Sequence, residues 1–257
     1  MFSRFARTMN IVMGILLLVS CTPATTVAPP TTPTPSIPTS TPTPIAPQRV
    51  TFQTEDGVSI AGTLYGNGEN AVILAHQGTP GADQFTWTQF AMTLAENGFT
   101  ALTFDFRGVG RSGGELDQSK LDKDVRAAAR YLQNQGYHQI VCAGASMGGT
   151  ACLRAAIDGE PFLGLITLAS TLVLFHRTMV ILPEELGVLT QPKLFITAEN
   201  DIDLVVRDTK SMYRLSPEPK KLLLLEGYEH GTDLFRTRVG DELRKAMLDF
   251  LEEVFTN

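Results

Sequence analysis

Short apolar runs alternate with segments of helical periodicity along most of the chain. The run Ala71–Ala75 is apolar at every position, which is typical of a strand buried on both faces of a parallel sheet. In Leu121–Leu132, apolar residues recur every three or four positions, which indicates an amphipathic helix. Strands that alternate with helices predict an α/β fold, with a mostly parallel central sheet and helices on both faces.

The whole pattern predicts about eight strands and five helices. The first two strands flank Asp56-Gly57, a pair favoured in tight turns, and are expected to form a hairpin. We expect strands at Val50–Thr54, Val58–Tyr65, Ala71–Ala75, Thr100–Phe104, Gln139–Ala143, Leu163–Leu168, Lys193–Thr197 and Lys221–Leu225. We expect helices at 87–95, 121–132, Met147–Ile157, Val205–Arg214 and Asp241–Phe255. Active sites of such sheets lie at the carboxyl ends of the strands. The segment between Leu168 and Gln191 has room for a small helix there, but not for a lid domain.

Residues 1–20 have the layout of an export signal. A short basic stretch precedes an apolar run from Ile11 to Val19, which is shorter than the roughly 20 residues of a membrane-spanning helix. The residues Leu18-Val19-Ser20-Cys21 resemble the lipobox of bacterial lipoproteins. This resemblance implies cleavage before Cys21 and lipidation of its thiol and amine, so we expect an extracytoplasmic protein anchored to a membrane by acyl chains. The alternative is a short uncleaved anchor.

Composition divides the rest of the chain in two. Residues 21–48 are dominated by Thr, Pro and Ser and predict a semi-rigid spacer without a core. Residues 49–257 are long enough for one domain with a sizeable core. The formal net charge is −6, with no dense cluster of Lys and Arg, which disfavours nucleic-acid binding.

Three cysteines are present, and Cys142 and Cys152 fall in the predicted domain. One is expected on a strand and the other on the following helix, an arrangement that does not favour the Cα separation below about 7 Å that a disulfide requires. We therefore expect two buried free thiols. The sequence has no C-x-x-C pair and no spacing of His and Cys typical of zinc ligands, so no metal or cofactor is expected.

A candidate nucleophile lies in the G-x-S-x-G sequence around Ser146. The motif follows a predicted buried strand and opens a predicted helix, which is the setting of a nucleophile elbow. Small residues are needed at Gly144 and Gly148 because strand and helix approach closely at this turn. The helix start presents N–H groups to a developing oxyanion, and the Met147 amide is the expected first donor. The alternative is a tight turn that happens to contain serine.

A serine nucleophile needs a base, and the chain has four histidines. His230 follows the last predicted strand, where a loop can reach the carboxyl edge of the sheet. His138 precedes a strand and is expected at the opposite edge. His176 lies in the variable segment and His76 ends an early strand, so we expect other roles for them.

The base needs a carboxylate to orient it. Asp201 follows the strand Lys193–Thr197 and completes the chain order Ser, Asp, His that is typical of this kind of site. Glu199 and Asp203 are close competitors, and Asp203 could instead cap the next helix.

With these motifs, the chain resembles the α/β-hydrolase superfamily, near the dienelactone-hydrolase-like and prolyl-oligopeptidase-like esterases. The segment His76-Gln77-Gly78 resembles the family's His-Gly segment, which implies that the Gly78 amide is the second oxyanion donor. Asp105–Ser112 matches the D-x-R-G-x-G-x-S loop, which has a mainly structural role in the family. Dienelactone hydrolases use a cysteine nucleophile, so Ser146 argues for a general esterase.

We therefore expect a monomeric serine hydrolase that cleaves small carboxylic esters or thioesters through an acyl-enzyme. Alternatives are a peptidase or amidase of the same fold, a cofactor-free haloperoxidase, or an inactive binding lipoprotein. Candidate residues of the substrate pocket are Gln77, Trp87, Phe175 and His176, with Phe85, Met147 and Met179 as further apolar candidates, several of which could belong to the core.

Overall fold

A sheet of eight strands forms the centre of the computed structural model, which describes residues 46–256. The strands are β1 Gln48–Gln53, β2 Ser59–Tyr65, β3 Ala71–Ala75, β4 Thr100–Phe104, β5 Ile140–Ala145, β6 Gly164–Leu168, β7 Lys193–Ala198 and β8 Lys220–Leu225. They lie in the order β1-β2-β4-β3-β5-β6-β7-β8. The predictions for the signal peptide, for Cys21 and for most of the spacer lie outside the described residues.

The direction of the strands is set by one hairpin and a series of crossovers. β1 and β2 are antiparallel, as Asp56-Gly57 predicted, and β2 is antiparallel to β4. All other neighbouring strands are parallel. The prediction of a mostly parallel sheet is confirmed, and the carboxyl ends of β3 to β8 meet at one edge.

Five α-helices cover the two faces of this sheet: α1 Thr88–Glu96, α2 Leu121–Asn134, α3 Met147–Ile157, α4 Asp203–Leu215 and α5 Gly240–Thr256. The pleat of β3 shows why the strands are apolar throughout. Ile73 joins the cluster beneath α2 and α3, while Val72 and Leu74 join the cluster beneath α1 and α5. Successive side chains therefore serve two separate cores.

The segment between β6 and β7 forms no lid domain. Its regular structure is two short 3₁₀ helices, at Phe175–Arg177 and Pro183–Val188, and a single bridge between Val173 and Val180. The expectation of only a small helical element is confirmed. Among residues 46–256, no helix is long and apolar enough to cross a membrane.

Cys142 and Cys152 form a disulfide bond, so the prediction of two free thiols was wrong. Their Cα atoms are 6.0 Å apart, within the range for a disulfide. The turn between β5 and α3 folds the helix back along its own strand. A strand rises about 3.3 Å per residue and a helix about 1.5 Å. Cys142 therefore lies about 13 Å from Ser146 along the strand, and Cys152 lies about 9 Å from Ser146 along the helix. Residues at similar distances from the turn therefore meet.

Candidate active site

Ser146 occupies the sharp turn between β5 and α3. Its backbone has φ of 48° and ψ of −116°, a conformation that residues other than glycine rarely adopt. Its N–H donates to the Leu168 carbonyl at 2.7 Å, which ties the turn to β6. A Cβ atom at Gly144 would overlap the backbone of Gly148, and one at Gly148 would overlap the backbone of Ala75. The elbow therefore depends on glycine at both positions, and it holds Ser146 half-buried at the carboxyl edge of the sheet.

The first turn of α3 leaves N–H groups for a ligand. The amides of Gly149 and Thr150 donate to the Ser146 carbonyl. The Met147 amide, at the first position of the helix, has no carbonyl one turn before it to bind. In the part of the chain that the structure describes, this amide makes no hydrogen bond with another loop. It is therefore available beside the Ser146 hydroxyl.

Asp201 and His230 form a hydrogen-bonded pair at the ends of β7 and β8. Nδ1 of His230 lies 3.0 Å from Oδ2 and 3.1 Å from Oδ1 of Asp201. The Asp201 side chain is only 1% exposed and also accepts a hydrogen bond from the Ile202 amide at 2.7 Å. A buried carboxylate on Nδ1 fixes the tautomer in which Nε2 is the basic nitrogen.

The competing carboxylates do not reach the imidazole. Glu199 and Asp203 are exposed, and neither has a hydrogen bond to His230 within residues 46–256. Asp203 is the first residue of α4, where its charge favours the helix dipole, but no side chain caps this helix. His138 is exposed just before β5, at the opposite edge of the sheet, as its position in the sequence predicted.

The loop that carries His230 packs against the elbow. A Cβ atom at Gly231 would lie 3.6 Å from the Ala145 side chain, and Ala145 directly precedes the nucleophile candidate. No hydrogen bond joins the Ser146 hydroxyl to His230 among the described residues. In substrate-free enzymes this bond is often long and tightens only when substrate binds.

His76 orients the loop that follows β3. The Phe106 amide donates to Nε2 at 3.1 Å, so Nδ1 carries the proton and donates to the Gln77 carbonyl at 2.7 Å. Burial lowers the pKa of His76, which favours this neutral form. Because the peptide group is planar and trans, the Gly78 N–H points away from the carbonyl that His76 holds. A Cβ atom at Gly78 would lie 3.0 Å from Sδ of Met147. The two residues whose amides are the predicted oxyanion donors are therefore neighbours in space.

Comparison with known proteins agrees with this fold. The profile of the alpha/beta hydrolase fold family matches residues 70–257. The chain belongs to this family. It is 28% identical over 231 residues to the uncharacterized protein YfhR of Escherichia coli (strain K12), covering 79% of this chain and 80% of YfhR.

Solved esterase structures share the fold of this alpha/beta hydrolase. The Pyrococcus furiosus esterase Pf2001 superposes with a TM-score of 0.68 at 19% identity, covering 80% of this chain and 92% of Pf2001. A thermophilic esterase from Thermogutta terrifontis, solved with malate bound, gives 0.65 at 18% identity, covering 80% of this chain and 99% of the esterase. At this identity the likeness concerns the fold alone.

A groove of about 790 Å³ opens among the loops that follow β1, β4 and β6 of this hydrolase, and neither Ser146 nor His230 lines it. Phe175 and His176, two of the predicted pocket residues, line it, and Phe175 is 81% exposed. Its other lining residues are Asp56, Val58, Arg107, Glu115, Leu116, Asp117, Gln118, Lys120 and Thr178. Gln118 receives a hydrogen bond from Thr178 at 3.0 Å, and its Nε2 approaches Sδ of Met147 at 3.9 Å. Gln118 therefore links the groove to the side chain of Met147, whose amide is a predicted oxyanion donor. No local sequence pattern identifies Gln118 as a residue of this groove, because its contacts with Thr178 and Met147 join distant parts of the chain.

Two other pocket predictions were wrong. Trp87 is fully buried, donates its indole N–H to the Ala75 carbonyl at 3.0 Å and packs on Phe90 and Phe235, so it belongs to the core. Helical spacing marks an inward-facing residue but does not distinguish a core from a pocket. The Gln77 side chain is buried and bound to other protein groups, so it does not face a ligand.

The remaining apolar candidates divide between surface and core. Met147 and Met179 are buried, and Phe85 is exposed but lies outside the groove. No group of three or more His, Cys, Asp or Glu side chains suited to a metal ion occurs in residues 46–256.

The Asp105–Ser112 loop is held by buried charge. Asp105 accepts hydrogen bonds from the Gln84 amide and side chain and from the Arg111 amide. Arg107 binds both Asp124 and Asp56, and its hydrogen bonds hold the pKa of Asp56 well below its usual range. These contacts are structural, in line with the role that the family resemblance implied.

Proposed function

We propose that this protein is a serine hydrolase that cleaves carboxylic esters of small substrates through an acyl-enzyme. The observation that carries the proposal is the pair of a buried Asp201 carboxylate and the His230 imidazole, beside a strained elbow that presents Ser146. A carboxylate, an imidazole and a hydroxyl in this chain order form a nucleophilic site on this fold.

Each residue has a distinct task in the proposed reaction. Ser146 attacks the ester carbonyl while Nε2 of His230 accepts the hydroxyl proton. Asp201 holds the imidazole and stabilises its protonated form. The amides of Met147 and Gly78 bind the oxyanion of the tetrahedral intermediate. The alcohol leaves with a proton from His230, and water then releases the acid by the same steps, so the site needs neither a metal nor a cofactor.

Because Ser146 and His230 do not line the groove, we place only the apolar part of the substrate in it, and its lining favours an uncharged substrate. Phe175 and Leu116 are large, exposed and apolar, and both line it. The charge of Arg107 is already neutralised by Asp56 and Asp124, so it is not free to bind a carboxylate. A groove open to solvent, with no lid domain over it, suits small soluble esters.

We further propose that the domain is a lipoprotein monomer, anchored through Cys21 outside the cytoplasm. The Cys142–Cys152 disulfide supports a location outside the cytoplasm, because such bonds persist mainly in oxidising compartments. β1 runs parallel to β4, so Gln48 lies at the edge of the sheet opposite to Ser146. A spacer that ends there would attach the domain by the edge remote from its active site.

Hydrolysis of p-nitrophenyl esters by the full chain in detergent tests the function. The wild type should turn over the acetate, and Ser146→Ala and His230→Ala should each lose at least about 10³-fold in kcat, as is usual for triad residues. His138→Ala, which changes an exposed histidine at the opposite edge, is the matched control and should retain full activity. Equal activity in wild type and Ser146→Ala would overturn the proposal.

A further inference from the structure

The side chain of Gln77 connects two loops that are 155 residues apart in the sequence. Its Oε1 accepts a hydrogen bond from the Thr232 amide at 2.7 Å and another from the Thr232 hydroxyl at 3.0 Å. Its Nε2 donates to the Thr79 hydroxyl at 3.2 Å. Gln77 and Thr232 are both buried. The amide therefore binds the loop after β3 to the loop that carries His230.

Gly231 provides the space for this connection. Its φ is +61°, and a Cβ atom there would collide with Oε1 of Gln77. Any other residue at position 231 would have to displace the Gln77 side chain and adopt an unfavourable backbone conformation. The glutamine after His76 and the glycine after His230 are thus matched to each other.

We propose that Gln77 is a positioning residue, which fixes the distance between the oxyanion donor Gly78 and the base His230. This inference rests on the proposed function. His76 holds the Gln77 carbonyl and so orients the Gly78 amide. The Gln77 side chain binds Thr232, two residues after His230. Oxyanion donor and base are therefore attached to the same residue.

Loss of this amide would disturb catalysis more than substrate binding. Without Oε1, the buried N–H and hydroxyl of Thr232 have no partner, and the loop must move to find one. Neither Gln77 nor Thr232 lines the groove where we place the apolar part of the substrate. The shift would therefore act on the geometry of His230 and Gly78, which determines kcat, while KM stays nearly constant.

The experiment compares variants of the full chain in detergent. Gln77→Met keeps the length of the side chain but removes both polar groups. Thr232→Val removes the hydroxyl, and Thr232→Ser retains it. Gln84→Met is the matched control: Gln84 is also buried and makes several side-chain hydrogen bonds, with Asp105 and two threonines, but none with the His230 loop. For each variant we would measure kcat and KM for p-nitrophenyl acetate, the rate of fluorophosphonate labelling and the thermal midpoint.

Gln77→Met should lower kcat by roughly 10- to 100-fold, the scale of a small misplacement of catalytic groups, with KM changed less than about twofold. Thr232→Val should lower kcat by less than Gln77→Met does, and Thr232→Ser should have the kcat of wild type. The double variant Gln77→Met, Thr232→Val should have a kcat only slightly below that of Gln77→Met. Gln84→Met should lower the thermal midpoint and spare kcat. An unchanged kcat in Gln77→Met, or equal losses of kcat in Gln77→Met and Gln84→Met, would overturn the inference.

Two further outcomes separate the inference from the proposed function. If Gln77→Met does not fold, equal kcat values in Thr232→Ser and Thr232→Val would overturn the positioning role. If the wild type neither labels nor hydrolyses ester, the proposed function fails and the positioning role fails with it. A labelled wild type with an equally fast Gln77→Met refutes the positioning role alone.

Discussion

Asp201 Oδ2 lies 3.0 Å from Nδ1 of His230, although the two residues are on loops that leave different strands. β7 and β8 are neighbours and parallel, so the loops after them begin side by side. A carboxylate three residues after one strand and a histidine five residues after the next can therefore meet. Burial of the Asp201 side chain keeps water from competing for the imidazole.

Asp201→Asn should lower kcat by about 10³- to 10⁴-fold, because an amide favours the wrong tautomer of the imidazole. Asp203→Asn, on the exposed first turn of α4, should leave kcat within about twofold of wild type. Ester hydrolysis by both variants checks this prediction. The reverse order of losses would show that Asp203 is the orienting carboxylate.

Removal of the Cys142–Cys152 disulfide should lower the free energy of unfolding by about 2–3 kcal/mol, since the bond closes only a short loop. Urea unfolding of the Cys142→Ala, Cys152→Ala double variant measures the loss. Wild-type protein unfolded without reductant should take up no iodoacetamide at these two positions. Alkylation of both would contradict the disulfide.

Phe175→Ala should raise KM for esters with aromatic or long alkyl groups by roughly three- to tenfold, because burial of a large apolar side chain against substrate contributes on the order of 1 kcal/mol or more. The acetate ester should be much less affected. Leu182→Ala changes an exposed apolar residue of the same segment that does not line the groove, and it should have no such effect. Equal effects of the two substitutions on KM would remove Phe175 from the substrate site.

Titration of Lys193 should make the free energy of unfolding depend on pH in the alkaline range. Its ammonium is buried at the start of β7 and donates to the carbonyls of Leu189 and Gln191, and burial lowers its pKa from 10.5 to about 8. The unfolded chain then binds more protons than the folded one between pH 8 and 10.5, so this residue makes the free energy of unfolding rise with pH in that window.

Urea unfolding at several pH values tests the role of Lys193, with Lys193→Met as the comparison. The rise attributed to Lys193 should be missing in the variant, and below pH 8 the two pH dependences should run parallel. An identical pH dependence of both proteins throughout the alkaline range would contradict the lowered pKa.

Patterns within the sequence predicted the elements of the fold well, because both faces of this sheet are buried. Ala71–Ala75 and Met147–Ile157 have the same bounds in the sequence prediction and in the structure. Ser146 could be recognised because an elbow requires glycines at fixed spacing and a strand before it. These patterns involve residues close together in the chain, so they can be identified from a single sequence.

The errors concern contacts that local patterns do not encode. Trp87 has the spacing of an inward-facing residue, and only the packing of Phe90 and Phe235 places it in the core. The disulfide depends on how α3 folds back over β5. Gln77 and Thr232 are 155 residues apart in the chain, so no local pattern distinguishes a positioning side chain at Gln77 from one that lines a pocket.

Fluorophosphonate labelling followed by peptide mass spectrometry tests the central claim most directly. The full chain in detergent should take up one phosphonyl group, located on Ser146, and His230→Ala should label far more slowly. A wild-type protein that stays unlabelled and hydrolyses no ester, or a label on another residue with Ser146 unmodified, would contradict the assignment of Ser146 as the nucleophile.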